Sequence, residues 1–242
     1  MILLRSALFN AWFFAVTAAL SVIGVVSMTV APRRAGPIAR RIARLWARLV
    51  LSGLRHLCGI SWMLHGAEQL PADGPLLLAS RHQSAFDTLV WLLVLPRCTY
   101  VLKQELARVP VFGRMFRPAG QIVVDRRGGA AALRTLARDA AAAAQAGGQI
   151  VIFPEGTRAA PGQVLPLHPG IAAVAARTGL PVVPVVTDSG RLWGRRAFRK
   201  QPGVIHLSLL PPLPPPAAGP GGRGSFMRHL AQALETDPEH CG

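Results

Sequence analysis

Two stretches of this chain carry side chains able to do chemistry: RHQSAFD at residues 81–87 and FPEGTR at residues 153–158. In the first, His82 stands five positions before Asp87. On one straight helix the two would be about 140° apart and could not meet. They meet if His82 occupies a strand-to-helix turn and Asp87 the first helical turn, where the helix dipole favours a carboxylate. Asp87 would then bond one ring nitrogen, fix the tautomer and leave the other nitrogen free as a general base. A helix start with a surface histidine fits the same residues, so the pair alone does not decide. No serine or cysteine is obviously placed as a nucleophile, which suits direct activation of a substrate hydroxyl.

FPEGTR places a proline, then Glu155, Gly156, Thr157 and Arg158, directly after an apolar run. Glycine in such a turn lets backbone N–H groups approach an anion, and Arg158 offers a planar fork for phosphate. Arg126 in GQIVVDRR and Lys103 in VLKQEL would add cations from neighbouring strand ends. Each alone fits an ordinary surface charge. Three at strand ends point to an anionic substrate.

These residues need a scaffold that brings strand ends together. Short apolar runs at 75–80, 99–102, 121–124, 149–153, 181–186 and 204–210 predict buried strands. Helical patterns lie between and after them: DTLVWLLVL, residues 130–145, residues 170–179 ending on a glycine, and residues 225–235. Alternation of this kind predicts an α/β fold, a mixed and mostly parallel sheet flanked by helices. In such sheets ligands gather at the carboxyl ends of strands, where RHQSAFD, DRRGG and PEGTR all fall. The tract PPLPPPAAGPGGRG at 211–224 reads as a linker to the last helix.

The N-terminus has another character. Residues 6–32 contain no charge, and about 20 apolar residues suffice to cross a bilayer. No cleavage site is clear, so the run reads as an uncleaved anchor. It spans the bilayer or lies in one leaflet, with a buried core helix as the alternative, and Asn10, Ser21 and Ser27 interrupt it. Arginines 33, 34, 40, 41, 44 and 48 follow it, which by the positive-inside rule puts the remainder in the cytoplasm. From Ile38 to Leu57 the arginines share one helical sector of about 100°, opposite Ile38, Ile42, Leu45, Trp46 and Leu49. That pattern fits a basic interfacial helix on anionic lipid, or an amphipathic helix covering the domain. The expected division is 1–58 for membrane attachment and 59–242 for catalysis.

Bulk composition agrees. The 242 residues are 51% hydrophobic and carry 27 Lys and Arg against 11 Asp and Glu, a net charge of +16. An excess of that size calls for an anionic partner. With no aromatic-studded basic strand or recognition helix, nucleic acid is not the expected one. Cys58, Cys98 and Cys241 are scattered, without CxxC spacing, so neither a disulfide framework nor a zinc site is expected.

Taken in order, HQSAFD, GQIVVDR, FPEGTR and LPVVPV resemble the motifs of the glycerolipid acyltransferases, specifically the 1-acylglycerol-3-phosphate (lysophosphatidate) acyltransferases. The resemblance covers roughly residues 60–210 and extends to VLKQELARVPVFG. It implies His82 as general base and Asp87 as its orienter. It implies that Arg126 and the turn Glu155-Gly156-Thr157-Arg158 hold the acceptor's phosphate and shape the pocket, with Glu155 bonding or holding Arg126 or Arg158. It further implies direct transfer from acyl-CoA or acyl carrier protein to a lysophospholipid, without metal, cofactor or acyl-enzyme, at the inner membrane. Backbone amides near the helix start after His82 are candidates for the oxyanion. One departure stands out: where relatives often carry lysine before Pro-Gly, this chain has His168, which bears on the acceptor's identity. The alternatives are another lyso-lipid acceptor, such as a lyso-aminolipid, and a non-catalytic membrane-surface binder.

Overall fold

The computed structural model describes residues 1–109 and 111–237, with the side chains of Phe112 and Arg126 and all of Cys241 outside that description. A seven-stranded sheet forms its middle layer, in the order β1-β7-β6-β2-β5-β3-β4. The strands are β1 (Ile60–His65), β2 (Leu76–Ser80), β3 (Cys98–Lys103), β4 (Ile122–Val124), β5 (Gln149–Ile152), β6 (Val182–Thr187) and β7 (Gly203–Leu209). Every neighbouring pair is parallel except β6 with β7. The centre of the sheet is buried on both faces, which explains the unbroken aliphatic runs LLLAS, QIVI and VVPVVT. Pro184 is tolerated inside β6 because it lies where the antiparallel ladder to β7 ends, accepting from the Leu210 amide.

The helices are α1 (Ile2–Val30), α2 (Ala35–Cys58), α3 (Asp87–Val94), α4 (Gln104–Ala107), α5 (Gly129–Gln145), α6 (Gly170–Thr178), α7 (Ser189–Leu192) and α8 (Gly222–Leu234). Helices α5, α6 and α8 cover one face through Leu136, Ala140, Ile171, Val174, Phe226 and Leu230. The spacing of these residues by three or four is the apolar stripe that helix burial requires. The other face packs on α3 and on the N-terminal pair.

The six strands expected from the aliphatic runs are present, as are the four helices expected beyond residue 80. The sequence reading passed over β1, an edge strand whose ISWMLH pairs only with β7 and leaves Trp62 and Met63 exposed. It also placed the start of the last helix at 225, whereas α8 begins three residues earlier, inside the glycine-rich tract.

Helices α1 and α2 form an antiparallel hairpin around a short turn at Pro32–Arg34. The Trp12 indole donates to the Leu49 carbonyl at 3.0 Å, and the Trp46 indole to the Thr17 hydroxyl at 2.9 Å. The hairpin is not detached from the sheet. Phe9, Val16, Leu20, Ala47 and Val50 belong to one hydrophobic cluster with Leu78, Val185 and Ile205. Phe9 meets Trp193 edge-on, with ring centroids 5.2 Å apart. Asn10, the polar oddity of the apolar helix, accepts from the Lys200 ammonium, and Ser6 accepts from the Lys200 amide at 3.0 Å. Lys200 also donates to the carbonyls of Ala197 and Phe198, so its buried charge is satisfied. Of the arginines on α2, Arg40, Arg41, Arg48 and Arg55 are exposed. Arg44 instead turns inward, donating to the carbonyls of Leu95 and Pro96.

Phe9 is fully buried at this junction, whereas Phe14 is 68% exposed. Phe9→Ala should therefore cost about 3–5 kcal/mol, and Phe14→Ala no more than about 0.5 kcal/mol. Thermal unfolding of the two variants in detergent measures the difference.

Candidate active site

Strands β2 and β5 are adjacent and parallel, so the segments leaving their carboxyl ends must meet. The RHQSAFD turn leaves β2 and the FPEGTR turn leaves β5. Asp87 opens α3, fully buried, and its Oδ2 accepts from the Gln83 amide at 2.7 Å and the Ser84 amide at 2.8 Å. These two bonds curl residues 82–87 into the tight turn that brings His82 back over the helix start. His82 Nδ1 then lies 3.2 Å from the same oxygen. Because a carboxylate only accepts, Nδ1 carries the proton and Nε2 is left with a free lone pair. The other carboxylate oxygen, Oδ1, is buried and has no partner among the described residues.

The imidazole is held from its face as well. It stacks on Phe153 at 4.2 Å between centroids, and Phe153 stacks in turn on Tyr100 at 6.0 Å. The Tyr100 hydroxyl is anchored on the Thr88 carbonyl at 3.0 Å. The His82 backbone is laced to the second motif on both sides: its amide donates to Glu155 Oε2 at 2.7 Å, and its carbonyl accepts from the Ala159 amide at 2.8 Å. Glu155 also faces Arg81 at 3.6 Å. Its carboxylate is thus hydrogen-bonded, one of the roles expected of it, to the His82 turn, and the arginine it faces is Arg81. Burial pushes the Glu155 carboxyl up from 4.5 to about 7, opposed by the His82 amide and the Arg81 charge.

The FPEGTR turn itself closes through the Gly156 amide onto the Phe153 carbonyl at 3.0 Å, with Gly156 at φ 67°. That left-handed conformation favours glycine. The His168 amide donates to the Pro154 carbonyl at 2.8 Å, folding the LHPG segment back against the turn.

Beside His82 opens an apolar cavity of about 340 Å³. Its walls come from Leu20 on α1, Ile42 and Trp46 on α2, Leu89 on α3, and Met115 and Phe116 from the segment after α4. His82 and Arg158 line it from the two motifs, and Thr88, Tyr100 and Gln121 are among its other polar members. Burial lowers the Arg158 guanidinium from its ordinary range, against the attraction of Asp87.

Arg158 therefore lies where the sequence reading put it, with Gly156 and Thr157 in the turn beside it. Lys103 closes β3 with its side chain exposed and is not a wall of the cavity. Arg126 opens the short turn after β4, but its side chain lies outside the described residues. The Gln83 and Ser84 amides, candidates for the oxyanion by position, are both committed to Asp87. Arg81, Phe153 and Tyr100 were not singled out; the first two sit inside the quoted motifs, but nothing in their spacing reveals the stack or the ion pair. Among the described residues, Ser80 and Ser84 on either side of His82 in the chain are otherwise engaged, and Cys98 is buried. The Ser80 hydroxyl donates to the Arg81 carbonyl, that of Ser84 accepts from the Phe86 amide, and burial pushes the Cys98 thiol up to about 12. Among the described residues no three His, Cys, Asp or Glu side chains are grouped to hold a metal ion.

Glu155 also makes a pH prediction. A carboxyl raised from 4.5 to about 7 on folding contributes stability that is present below pH 4.5 and lost as pH rises through about 7. Glu155→Gln keeps an acceptor for the His82 amide and removes that titration. Its melting temperature should fall less than that of the wild type between pH 5 and pH 8.

Comparison with known proteins agrees with this geometry. Residues 62–188 match the Acyltransferase family. The 1-acyl-sn-glycerol-3-phosphate acyltransferase of Pseudomonas aeruginosa is 32% identical over 181 residues, 75% of this chain and 70% of that protein. The 1-acyl-sn-glycerol-3-phosphate acyltransferase alpha of Homo sapiens is 32% identical over 169 residues, 69% of this chain and 60% of that protein. The crystal structure of the 1-acyl-sn-glycerophosphate (LPA) acyltransferase of Thermotoga maritima has the same fold, with a TM-score of 0.70, 19% identity and 96% of both chains covered. A histidine oriented by a buried carboxylate, laced to a phosphate-type turn at the end of an apolar cavity, thus sits within a matched sequence: the chain belongs to the acyltransferase family, among relatives named 1-acyl-sn-glycerol-3-phosphate acyltransferases.

Proposed function

We propose that this protein transfers a fatty acyl group from acyl-CoA or acyl carrier protein to the free hydroxyl of 1-acylglycerol-3-phosphate, forming phosphatidate. The observation that carries the reading is His82, with Nδ1 bonded to Asp87 and Nε2 free, at the end of an apolar cavity that Arg158 also lines. His82 Nε2 takes the proton of the acceptor hydroxyl as its oxygen attacks the thioester carbonyl. Collapse of the tetrahedral intermediate forms the ester and expels the thiolate, which receives the proton from Nε2. Asp87 stabilises the imidazolium formed in between. Arg158, with Gly156 and Thr157 in the same turn, binds the acceptor's phosphate; Arg126 joins it as the family resemblance implies, and Lys103 adds positive field. The thioester is a co-substrate and no resident cofactor or metal is required.

In this reading residues 1–58 attach the enzyme to the cytoplasmic face of the inner membrane and residues 59–242 carry the chemistry. Helix α1 is 29 residues long and apolar enough to cross a bilayer. A one-leaflet position is favoured, because α1 is docked on the catalytic layer near both of its ends. Phe9 and Asn10 meet Trp193 and Lys200, while Gly24 abuts Met115. Leu4, Leu8, Phe14, Val22 and Val26 point outward toward lipid, and the exposed α2 arginines suit anionic headgroups. The cavity wall is then itself made of membrane-seated helices, so an acyl chain can enter without crossing water. Nucleic acid has no place in this reading.

The decisive assay is acyl transfer from labelled acyl-CoA and acyl carrier protein to lysophosphatidate in detergent. The wild type should form phosphatidate and His82→Ala should lose at least about 10²-fold. Equal activity in the two would remove the general-base role, and a preferred phosphate-free acceptor would replace the substrate. For the membrane, Phe14→Asp with Val22→Asp should lower flotation with anionic liposomes while leaving the turnover of a detergent-soluble substrate; full retention on liposomes would overturn the one-leaflet contact.

A further inference from the structure

The segment between β6 and β7 contains four arginines in GRLWGRRAFR and lies outside the acyltransferase match, which ends at residue 188. It is nevertheless built against the active site. The Gly190 amide donates to Gln83 Oε1 at 3.1 Å, next to His82 in the catalytic turn. A Cβ on Gly190 would come within 2.9 Å of the Gln83 Cβ and 3.1 Å of Pro161, so the segment is pressed against the first motif and the chain just beyond the second. Its far end is fixed too, through Trp193 on Phe9 and Lys200 on Asn10. Between these anchors Arg195 reaches the second motif, its Nη1 donating to the Arg158 carbonyl at 3.5 Å.

The Arg195 guanidinium is thereby brought onto the backbone of Arg158, in the turn laced to His82. Neither Arg158 nor Arg195 has an ion pair with a carboxylate among the described residues. Their repulsion is felt, since the Arg195 charge acts with burial to lower Arg158. Like charges carried on neighbouring segments, one of them lining the cavity, are stabilised by an anion placed between them. A phosphomonoester, carrying about 1.5 to 2 negative charges at neutral pH, can accept both planar forks at once.

We propose that Arg195 binds substrate: together with Arg158 it clamps the phosphomonoester of the acyl acceptor, and it selects phosphate-bearing acceptors over neutral ones. This deepens the acyltransferase reading and rests on it. The acceptor is favoured over the donor's phosphates because Arg158 lines the same cavity as His82, the residue that activates the acceptor's hydroxyl.

The test is kinetics of Arg195→Ala and Arg195→Lys in neutral detergent, which removes lipid headgroups as a competing source of phosphate. Arg195→Ala should raise the KM for lysophosphatidate about tenfold or more, a loss of one charge-assisted contact, with a smaller effect on kcat. Arg195→Lys should fall between, and the defect should shrink with a monoacylglycerol acceptor. A rise in donor KM in its place, or an unaltered acceptor KM, would overturn the clamp. Glycerol 3-phosphate supplies a readout without turnover. It should raise the melting temperature of the wild type more than that of Arg195→Ala, and equal shifts would overturn the proposal. If the wild type fails to acylate lysophosphatidate, the proposed function falls, while the glycerol 3-phosphate shift still judges the clamp.

Discussion

The architecture turns on one buried carboxylate. Asp87 has no solvent exposure, and taking an ionised carboxyl out of water is costly unless its oxygens are bonded. Two backbone amides and an imidazole supply those bonds to a single oxygen. The amides belong to the residues immediately after His82, so satisfying the charge and forming the His82 turn are the same event. Position at the first turn of α3 adds the favourable end of the helix dipole. A carboxylate elsewhere on this helix would lack both amides, and the imidazole would have nothing to fix its tautomer.

That turn would still be free to move on β2 without the second motif. Glu155 and Ala159 grip the backbone of His82 from opposite sides, and Phe153 lies flat against its ring. Three residues of one loop therefore act on one residue of another. The pairing of β2 with β5 makes this contact possible, since parallel neighbours deliver their carboxyl ends to the same rim of the sheet. Preorganisation of this kind matters because a misplaced base forfeits much of the advantage of holding reactants together.

The segment after β6 joins this rim to the N-terminal hairpin. Gly190 touches the catalytic turn, and Trp193 and Lys200 hold α1. The hairpin is consequently both a cavity wall and, in the proposed function, the attachment surface. Asn10 and Ser6, which weaken α1 as a purely lipid-facing helix, are explained by this docking, because both accept from Lys200. The same contacts bear on how the helix sits in a bilayer, since a segment pinned at Phe9 and again at Gly24 is not free to stand away from the domain.

The sequence by itself determined the sheet-and-helix alternation, because strands buried on both faces have to be aliphatic and the helices beside them need a stripe at 3.6-residue spacing. It also offered the pairing of His82 with Asp87 and a glycine suited to a tight turn at Gly156, but a surface histidine fitted the same residues until the fold brought the two side chains together. Only the tertiary structure decided what each charge faces. Glu155 looks toward Arg81 and the His82 amide, Arg44 turns into the domain while its neighbours stay outside, and Lys103 remains exposed. Such choices depend on partners tens of residues away, and sequence spacing within one segment carries no information about them. The edge strand β1 escaped for a related reason: with one neighbour and a half-exposed face, it lacks the aliphatic signature that burial imposes on the central strands. Arg195 is the clearest case, an ordinary member of an arginine-rich stretch until the fold sets it against Arg158.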